Sequence, residues 1–470
     1  MPMNNNSRRI YIFASLIMLV FYMFIAFCVP YCHDDWEWGI DAGINQWLNA
    51  TLNSRYVGSF FVVIMTRSEF LKTLIIGLTL FFIPLLLDRI AGKELNVKRY
   101  IIANFLLLFI PQEMWQQTHG WVSAFANYVI SVALTFFLIL VLERTKDRRA
   151  GVCWFSLPLA VAVGLFHENL TVYIVGVMII YTLYCGICSR RINAFHIMMT
   201  LCSILGFLIM FSNSVYDSLI DEGVALGGVR ALSFDLDDGI WGMICQTLKR
   251  FFTRIFPEMF FRYPTATVVS TGMLVWEVLH SKRSVFKIIL SVIAAALCVT
   301  VCVVPNGAAC CTPISICLFI LDIVLIVQAG GKNVGKKLML LLSVPAILLP
   351  LAITTEFGPR LCYLPYMMLL AIGVCALPTL SYRFEQTIGA VFAVVLTVCV
   401  VFYIGIYTEI CSVTIDRAVA VSTAVKNGAN EVVMKKDPHK YWWGRNCGDE
   451  RMVFFKEFYG IPENVTVIFE

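Results

Sequence analysis

Residues 33–38 read His-Asp-Asp-Trp-Glu-Trp and follow directly on the first strongly apolar run of the chain. Charged side chains at membrane depth cost several kcal/mol unless they are paired, hydrated or put to use, so Asp34, Asp35 and Glu37 predict a place where charge or protons are handled. Asp is also a favoured N-cap, and a helix cap is the plain alternative for this stretch. An ionised carboxylate can take a proton from an attacking hydroxyl while a second one holds a divalent cation, Mg or Mn, or a donor group. A helix over 34–50 places Trp36, Ile40, Ile44, Trp47 and Leu48 on one apolar stripe that suits the headgroup layer. On that helix Asp34, Glu37 and Asp41 share a face while Asp35 points away, so the two adjacent carboxylates have different jobs.

Other polar groups recur between apolar runs. They are Asn53-Ser54-Arg55, the stretch from Gln116 through His119 to Trp121, His167-Glu168-Asn169, and the stretch from Glu356 to Arg360. Arg55 and Arg360 each carry the planar fork that matches a phosphate, or else snorkel to the interface or pair with a neighbouring acid such as Glu356. His119 with Trp121 and Asn127 suits sugar recognition, an indole packing on C–H groups while imidazole and amide read hydroxyls; an interfacial Trp belt is the competing account. His167 and Glu168 are plausible ligands for a divalent metal, unselective as to which, or the hydrated tip of a hairpin.

These residues hang on a very apolar chain. Of 470 residues 59% are hydrophobic and 14% charged, and the mean hydropathy is +0.79. Many apolar runs approach the ~20 residues needed to cross a bilayer, which makes this a polytopic, all-α membrane protein of about thirteen transmembrane helices. The runs lie near 10–29, 70–87, 100–114, 122–142, 152–166, 169–187, 195–212, 257–279, 286–304, 313–329, 338–353, 360–378 and 387–408. Nothing after the first run resembles a signal-peptide cleavage site, so it is expected to stay as an anchor.

With the amino terminus inside, every second loop is basic, as orientation requires. The inner loops hold Arg89, Lys93, Lys98 and Arg99; Arg144, Lys146, Arg148 and Arg149; Arg190 and Arg191; Lys282, Arg283 and Lys287; Lys332, Lys336 and Lys337; and Arg383. The polar stretches named above then all fall on the outer side, at one depth, as a site for a charged headgroup demands. The expected layout is a membrane domain over 1–408 and a small extracytoplasmic segment over 409–470. The first outer loop, 30–69, carries juxtamembrane helices at 34–50 and 56–66, and a longer outer loop spans 213–256. Asp217, Asp221, Glu222, Gly227, Gly228, Asp235, Asp237 and Asp238 suggest that the longer loop is a mobile lid, since its acids lack a calcium-loop pattern. In the tail, Lys435 to Trp443 sets cations beside aromatics, which suits lipid headgroups, and 464–470 alternates like a strand.

The net charge of +5 is spread between spans and does not form one patch, which argues against nucleic acid. The seventeen cysteines lie mostly within spans; Cys32, Cys310, Cys311, Cys362 and Cys447 are near the outer face without metal-type spacing. No phosphate-binding glycine loop or dinucleotide fingerprint occurs, so a soluble nucleotide-sugar enzyme is not expected.

The Asp34-Asp35 pair just after the first span, the two juxtamembrane helices, the outward tail and the thirteen spans together resemble the GT-C class of integral-membrane glycosyltransferases. That class includes aminoarabinose, mannosyl and arabinofuranosyl transferases using lipid-phosphate sugars, and the chain is more similar still to a group of bacterial polytopic proteins related to it. The resemblance implies transfer of a sugar from a polyprenyl-phosphate donor to an envelope glycan or lipid acceptor, at the outer face of the plasma membrane and among its lipids. It also implies that Asp34 or Asp35 is the base or positions the acceptor, while the short tail departs from the class's larger outer domain. The chemistry requires a carboxylate for the acceptor, an Arg or cation for the leaving phosphate, and an apolar groove for the lipid. The rival expectations are a lipid-linked glycan flippase or other transporter, whose charges would sit at the midplane, and an O-antigen-type polymerase, which needs no first-loop acidic pair.

Overall fold

The computed structural model describes residues 5–51, 53–92, 94–146, 151–189, 193–221, 223, 231–281, 284–331, 333–377, 382–436, 438–444 and 451–470. Lys93, Arg148, Arg149, Arg190, Arg191, Glu222, Gly227, Gly228, Lys282, Arg283, Lys332 and Cys447, all named above, lie outside the described residues. In hydrocarbon each backbone N–H and C=O must find its partner within its own segment, and so apolar runs become helices. Among the described residues ten helices are long and apolar enough to cross a membrane: Asn5–Cys28, Glu69–Ala91, Val122–Thr145, Glu168–Ile187, Ala194–Phe211, Val285–Val303, Cys311–Ala329, Val334–Ala352, Pro359–Ala376 and Gly389–Asn427. The protein is an all-α, multi-pass membrane protein.

Three expected spans fall on shorter helices, and proline or glycine accounts for each. The run 100–114 forms Val97–Leu108 and stops short of Pro111, which cannot donate to a helix and biases the residue before it toward extended backbone. The run 152–166 becomes a 3-10 segment, Gly151–Ser156, then Leu157–Val163, ending at Gly164. The run 257–279 divides into Phe256–Phe261 and Pro264–His280, with Pro264 opening the second helix.

Polar contacts gather at the two ends of the bundle. At one end Arg99 Nε meets Asp88 at 2.7 Å, Lys336 Nζ meets Glu143 at 2.6 Å, and Lys337 meets Glu277 at 2.5 Å. Lys336 also donates to the Ile90 carbonyl, and Lys287 donates to Ser281 at 2.7 Å. The expected inner loops at 88–99, 143–146, 277–287 and 336–337 thus share one end. Helix Val122–Thr145, of 24 residues, runs about 36 Å from there to the other end, one bilayer thickness away.

At that other end the first loop is compact. The expected single helix over 34–50 is broken into Asp35–Gly39 and Asp41–Asn49 by an extended Ile40. Arg67 makes the break, donating to the carbonyls of Trp38 and Ile40 that close the first piece. The turn is so tight that a Cβ on Gly43 would lie 2.3 Å from the Trp38 carbonyl oxygen. Consequently Trp36 does not share a lipid-facing stripe with Ile40 and Leu48; it is buried, edge-on to Phe455 at 5.1 Å. The second juxtamembrane helix is Tyr56–Arg67.

The last helix, Tyr382–Asn427, has 46 residues, about 69 Å at 1.5 Å per residue, so it outruns the hydrocarbon. Its far end packs with two parallel strands, Glu431–Met434 and Thr466–Phe469, paired Glu431 to Thr466 through Met434 to Phe469. Helix Met452–Tyr459 lies in the crossover between them. The second strand falls in the alternating run 464–470, as read from sequence. Trp36, Val421, Val432, Met434, Phe455, Ile461 and Val465 form one buried cluster, so this small cap is packed around a residue of the first loop. Within 213–256 the described residues form helices Ser214–Asp221 and Gly239–Arg250, joined through a 3-10 turn at Leu236–Asp238 in which Asp235 accepts the Asp237 N–H.

Candidate active site

Asp34 stands at the N-cap of Asp35–Gly39 but makes no capping hydrogen bond. Its carboxylate instead accepts the indole N–H of Trp121 at 2.8 Å and is 26% exposed. It lines a cavity of about 110 Å³ together with Asn53, Arg55, Trp121, Asn127, Tyr128 and Arg360, among others. Burial alone would raise the Asp34 carboxyl. The neighbouring His33 imidazole, the Trp121 N–H and the Arg451 charge together hold it below the usual Asp range, so it is ionised.

Asp35 points the other way. It is fully buried and accepts the Cys32 N–H at 3.0 Å, the Ser123 N–H at 2.8 Å and the Ser123 hydroxyl. Burial and then the Asp34 charge push its carboxyl up to about 7, against the pull of those hydrogen bonds. It therefore staples the turn at 32–35 to the start of helix Val122–Thr145. Glu37 leaves the cavity as well, bonding Gln46 and, at 3.3 Å, Arg451 of the cap. The expectation that Asp34, Glu37 and Asp41 share one working face does not hold: Asp34 bonds Trp121, Glu37 bonds Gln46 and Arg451, and the break at Ile40 takes Asp41 onto the next helix.

The two guanidiniums converge. Arg55 Nη2 meets Glu168 at 2.8 Å and Arg360 Nη2 meets Glu356 at 2.7 Å. Arg360 lies over the Trp121 ring at 5.3 Å and over Tyr128 at 5.9 Å, and Arg55 is also 5.9 Å from the Tyr128 ring. Burial opposes the Arg55 charge, but Glu168 beside it, with Tyr128, more than compensates and keeps it protonated. Arg55 Nε and Asn127 Oδ1 are buried without a hydrogen-bond partner among the described residues.

Local backbone geometry delivers these groups. A π-helical turn over Phe125–Val129 interrupts helix Val122–Thr145 and carries both Asn127 and Tyr128; such turns rotate side chains out of the α-helical register and often mark functional sites. Helix Tyr56–Arg67 can approach only because Gly58 has no side chain: a Cβ there would lie 2.1 Å from Asn127 Oδ1.

His119 and His167 are not in the cavity lining. His119 is 1% exposed, stacked on Trp115 at 4.2 Å, and bonded to Thr118 Oγ1 at 2.8 Å and Tyr363 at 3.3 Å. Burial pushes it down to about 3, so it is a neutral packing group. His167 is 2% exposed, against Tyr128 at 5.0 Å and held by Asn169 at 2.5 Å. Burial, with the Arg55 charge, pushes it down to about 4. Glu168 reaches the site only through Arg55, and it also accepts the Tyr216 hydroxyl at 2.9 Å.

No family model, curated protein or solved structure matches this chain. What it does must be argued from the site alone. Tyr128 lines the cavity beside the residues singled out from sequence, Asn53 among them. Tyr128 sits inside a transmembrane run, where an aromatic residue carries no signal of function.

The lining contains one carboxylate, Asp34, and two guanidiniums, to which Glu168 and Glu356 are tied. Among the described residues no group of three His, Cys, Asp or Glu side chains is disposed to hold a metal ion. This donor set, one carboxylate facing two guanidiniums, suits an anionic ligand.

An apolar groove of about 500 Å³ is walled by Ile240, Met243, Ile244 and Leu248 on one side and Val172, Leu349 and Ile353 on the other. Val172 is one helical turn beyond Glu168. Arg250 donates to the Thr355 carbonyl at 2.9 Å, which ties the groove's helix to the segment leading to Glu356 and Arg360.

Proposed function

We propose that this protein is a GT-C-like, inverting glycosyltransferase that moves a sugar from a polyprenyl-phosphate donor to a glycan or lipid acceptor at the outer face of the plasma membrane. The observation that carries the reading is a carboxylate that caps nothing and faces a small cavity with two arginines and an indole, in a chain that also holds an apolar groove. The acceptor hydroxyl gives its proton to Asp34 and attacks the anomeric carbon; the bond from that carbon to the phosphate oxygen breaks, and the lipid phosphate leaves with the electron pair. Arg55 and Arg360 neutralise the charge that grows on the phosphate, in a site where Glu168 and Glu356 have already oriented them. Trp121 and Tyr128 offer faces for the sugar ring, Asn127 and Asn53 offer polar groups for its hydroxyls, and the groove takes the isoprenoid.

Thirteen membrane passages, with the amino terminus inside and the cap outside, belong to the same reading. They are supported by the shared end of the basic loops and by the return of the chain to the opposite end at Asp34, Trp121, Glu168 and Arg360. The short segment 151–167 is long enough for one passage because its first turns are 3-10 helix, which rises ~2 Å per residue.

The test is sugar transfer by the purified protein in lipid, offered a panel of polyprenyl-phosphate sugars, with Asp34→Asn and Asp35→Asn compared at equal folded yield. Transfer by wild type that vanishes in Asp34→Asn supports the assignment. If no donor is bound or turned over, and both variants sustain what wild type does in cells, the enzyme reading fails and export of a lipid-linked glycan takes its place.

A further inference from the structure

We infer that His33 is the proton outlet of the Asp34 base, a reading that rests on the glycosyl-transfer function above. Three independent features meet at this residue. Its backbone has φ +55°, a left-handed conformation that side-chain-bearing residues rarely hold without over-determining contacts. Its ring stands edge-on to Trp121 at 4.9 Å, the same indole that donates to Asp34. Its Nδ1 is buried without a hydrogen-bond partner among the described residues, yet lies 3.7 Å from Asp34 Oδ1. The side chain as a whole is 35% exposed although Nδ1 is not, so the ring bridges the carboxylate and water.

A base that has taken the acceptor's proton must lose it before the next turnover. The Asp34 carboxyl cannot hand it to Trp121, which only donates, nor to the arginines, which are already protonated. His33 Nδ1 is an acceptor at the right place: it takes the proton from Asp34 and the ring becomes an imidazolium; a turn of the half-exposed ring about Cβ–Cγ carries that Nδ1–H to water, where the proton is lost, and the ring returns as the Nε2–H tautomer it started from. The charged or titratable groups around this pair are Asp34 itself, Asp35 behind it, Arg451 from the cap and Arg360 across the Trp121 ring. The left-handed turn that holds the ring against Trp121 is thus a positioning device, and the imidazole is a catalytic residue that sequence reading passed over in favour of its acidic neighbours.

His33→Gly and His33→Asn separate catalysis from folding, because glycine and asparagine are the residues that best tolerate φ near +55°. Both variants are expected to fold with an unchanged or raised Tm. Their kcat is expected to fall by about tenfold or more, with KM for the donor nearly unchanged. Added imidazole is expected to restore turnover in His33→Gly in proportion to its unprotonated form, and to do nothing for Asp34→Asn. Wild-type kcat in both variants without imidazole overturns the relay while leaving the transferase reading intact. A wild-type protein that turns over no polyprenyl-phosphate sugar overturns both.

Discussion

Asp34 and Asp35 are neighbours in sequence with opposite environments, and that difference assigns their work. Asp34 is ionised, partly exposed and turned toward two arginines. Asp34→Asn keeps an oxygen for the Trp121 N–H, so thermal unfolding should show a Tm close to wild type, while kcat for sugar transfer drops by ~100- to 10,000-fold. Asp35 is a fully buried acceptor of three hydrogen bonds. Asp35→Ala leaves those donors unpaired and should destabilise the protein by about 1–3 kcal/mol, read as a lowered Tm at any pH. The sign of the pH dependence follows from the shift. The Asp35 carboxyl is raised to about 7 in the folded protein, so between the unfolded value near 4 and about 7 the folded state binds more protons than the unfolded one, and stability falls as pH rises through that window. Asp34, held below its ordinary value, acts in the other sense and only below that window. The Tm of wild type should therefore decline from pH 5 to pH 7.5, and Asp35→Asn should flatten the decline.

At the scale of elements, the site is made by two interruptions of regular helix, the break at Ile40 and the π-turn at Phe125–Val129, and by the close approach that Gly58 allows. Gly58→Ala puts a methyl group against Asn127 Oδ1 and must push helix Tyr56–Arg67 outward, carrying Arg55 with it. A loss of about 1–3 kcal/mol is expected from the overpacking, with a higher KM for the donor and a lower kcat, because Arg55 holds the phosphate on binding and takes up the charge that grows on it as the bond breaks. A variant with unchanged Tm and unchanged KM would show that the helix is not held by this contact.

For the whole molecule, the testable statement is which end faces out. Glu409 on the cap side is 66% exposed, and Arg144 at the basic end is exposed. With Cys188, Cys447 and the cysteines exposed among the described residues, Cys245, Cys302, Cys310 and Cys317, replaced, a membrane-impermeant thiol reagent should modify Glu409→Cys in intact cells and Arg144→Cys only after lysis. The reverse pattern would turn the site toward the cytoplasm and remove the outer-face reading. The cap itself is coupled to the site: Trp36 sits in its buried cluster and Arg451 reaches Glu37, so the fold of residues 409–470 holds the turn on which Asp34 stands.

Hydropathy by itself determined that the chain is a helical, multi-pass membrane protein, because lipid leaves an apolar run no other way to satisfy its backbone. Charge placement brought out the grouping of the basic loops, and the cost of polar residues at membrane depth singled out Asp34, Arg55, Trp121, Asn127 and Arg360, which line one cavity. Span lengths at 100–114, 152–166 and 257–279 were not legible, since proline and glycine cut helices that composition alone leaves continuous. Nor could residue types say that Asp35, His119 and His167 are packing groups while Asp34 is not. A carboxylate or an imidazole is inert or reactive according to burial and partners, and those come from residues some ninety to more than two hundred positions away in the chain, as with Ser123 for Asp35 and Tyr363 for His119. Only the tertiary structure brings them together.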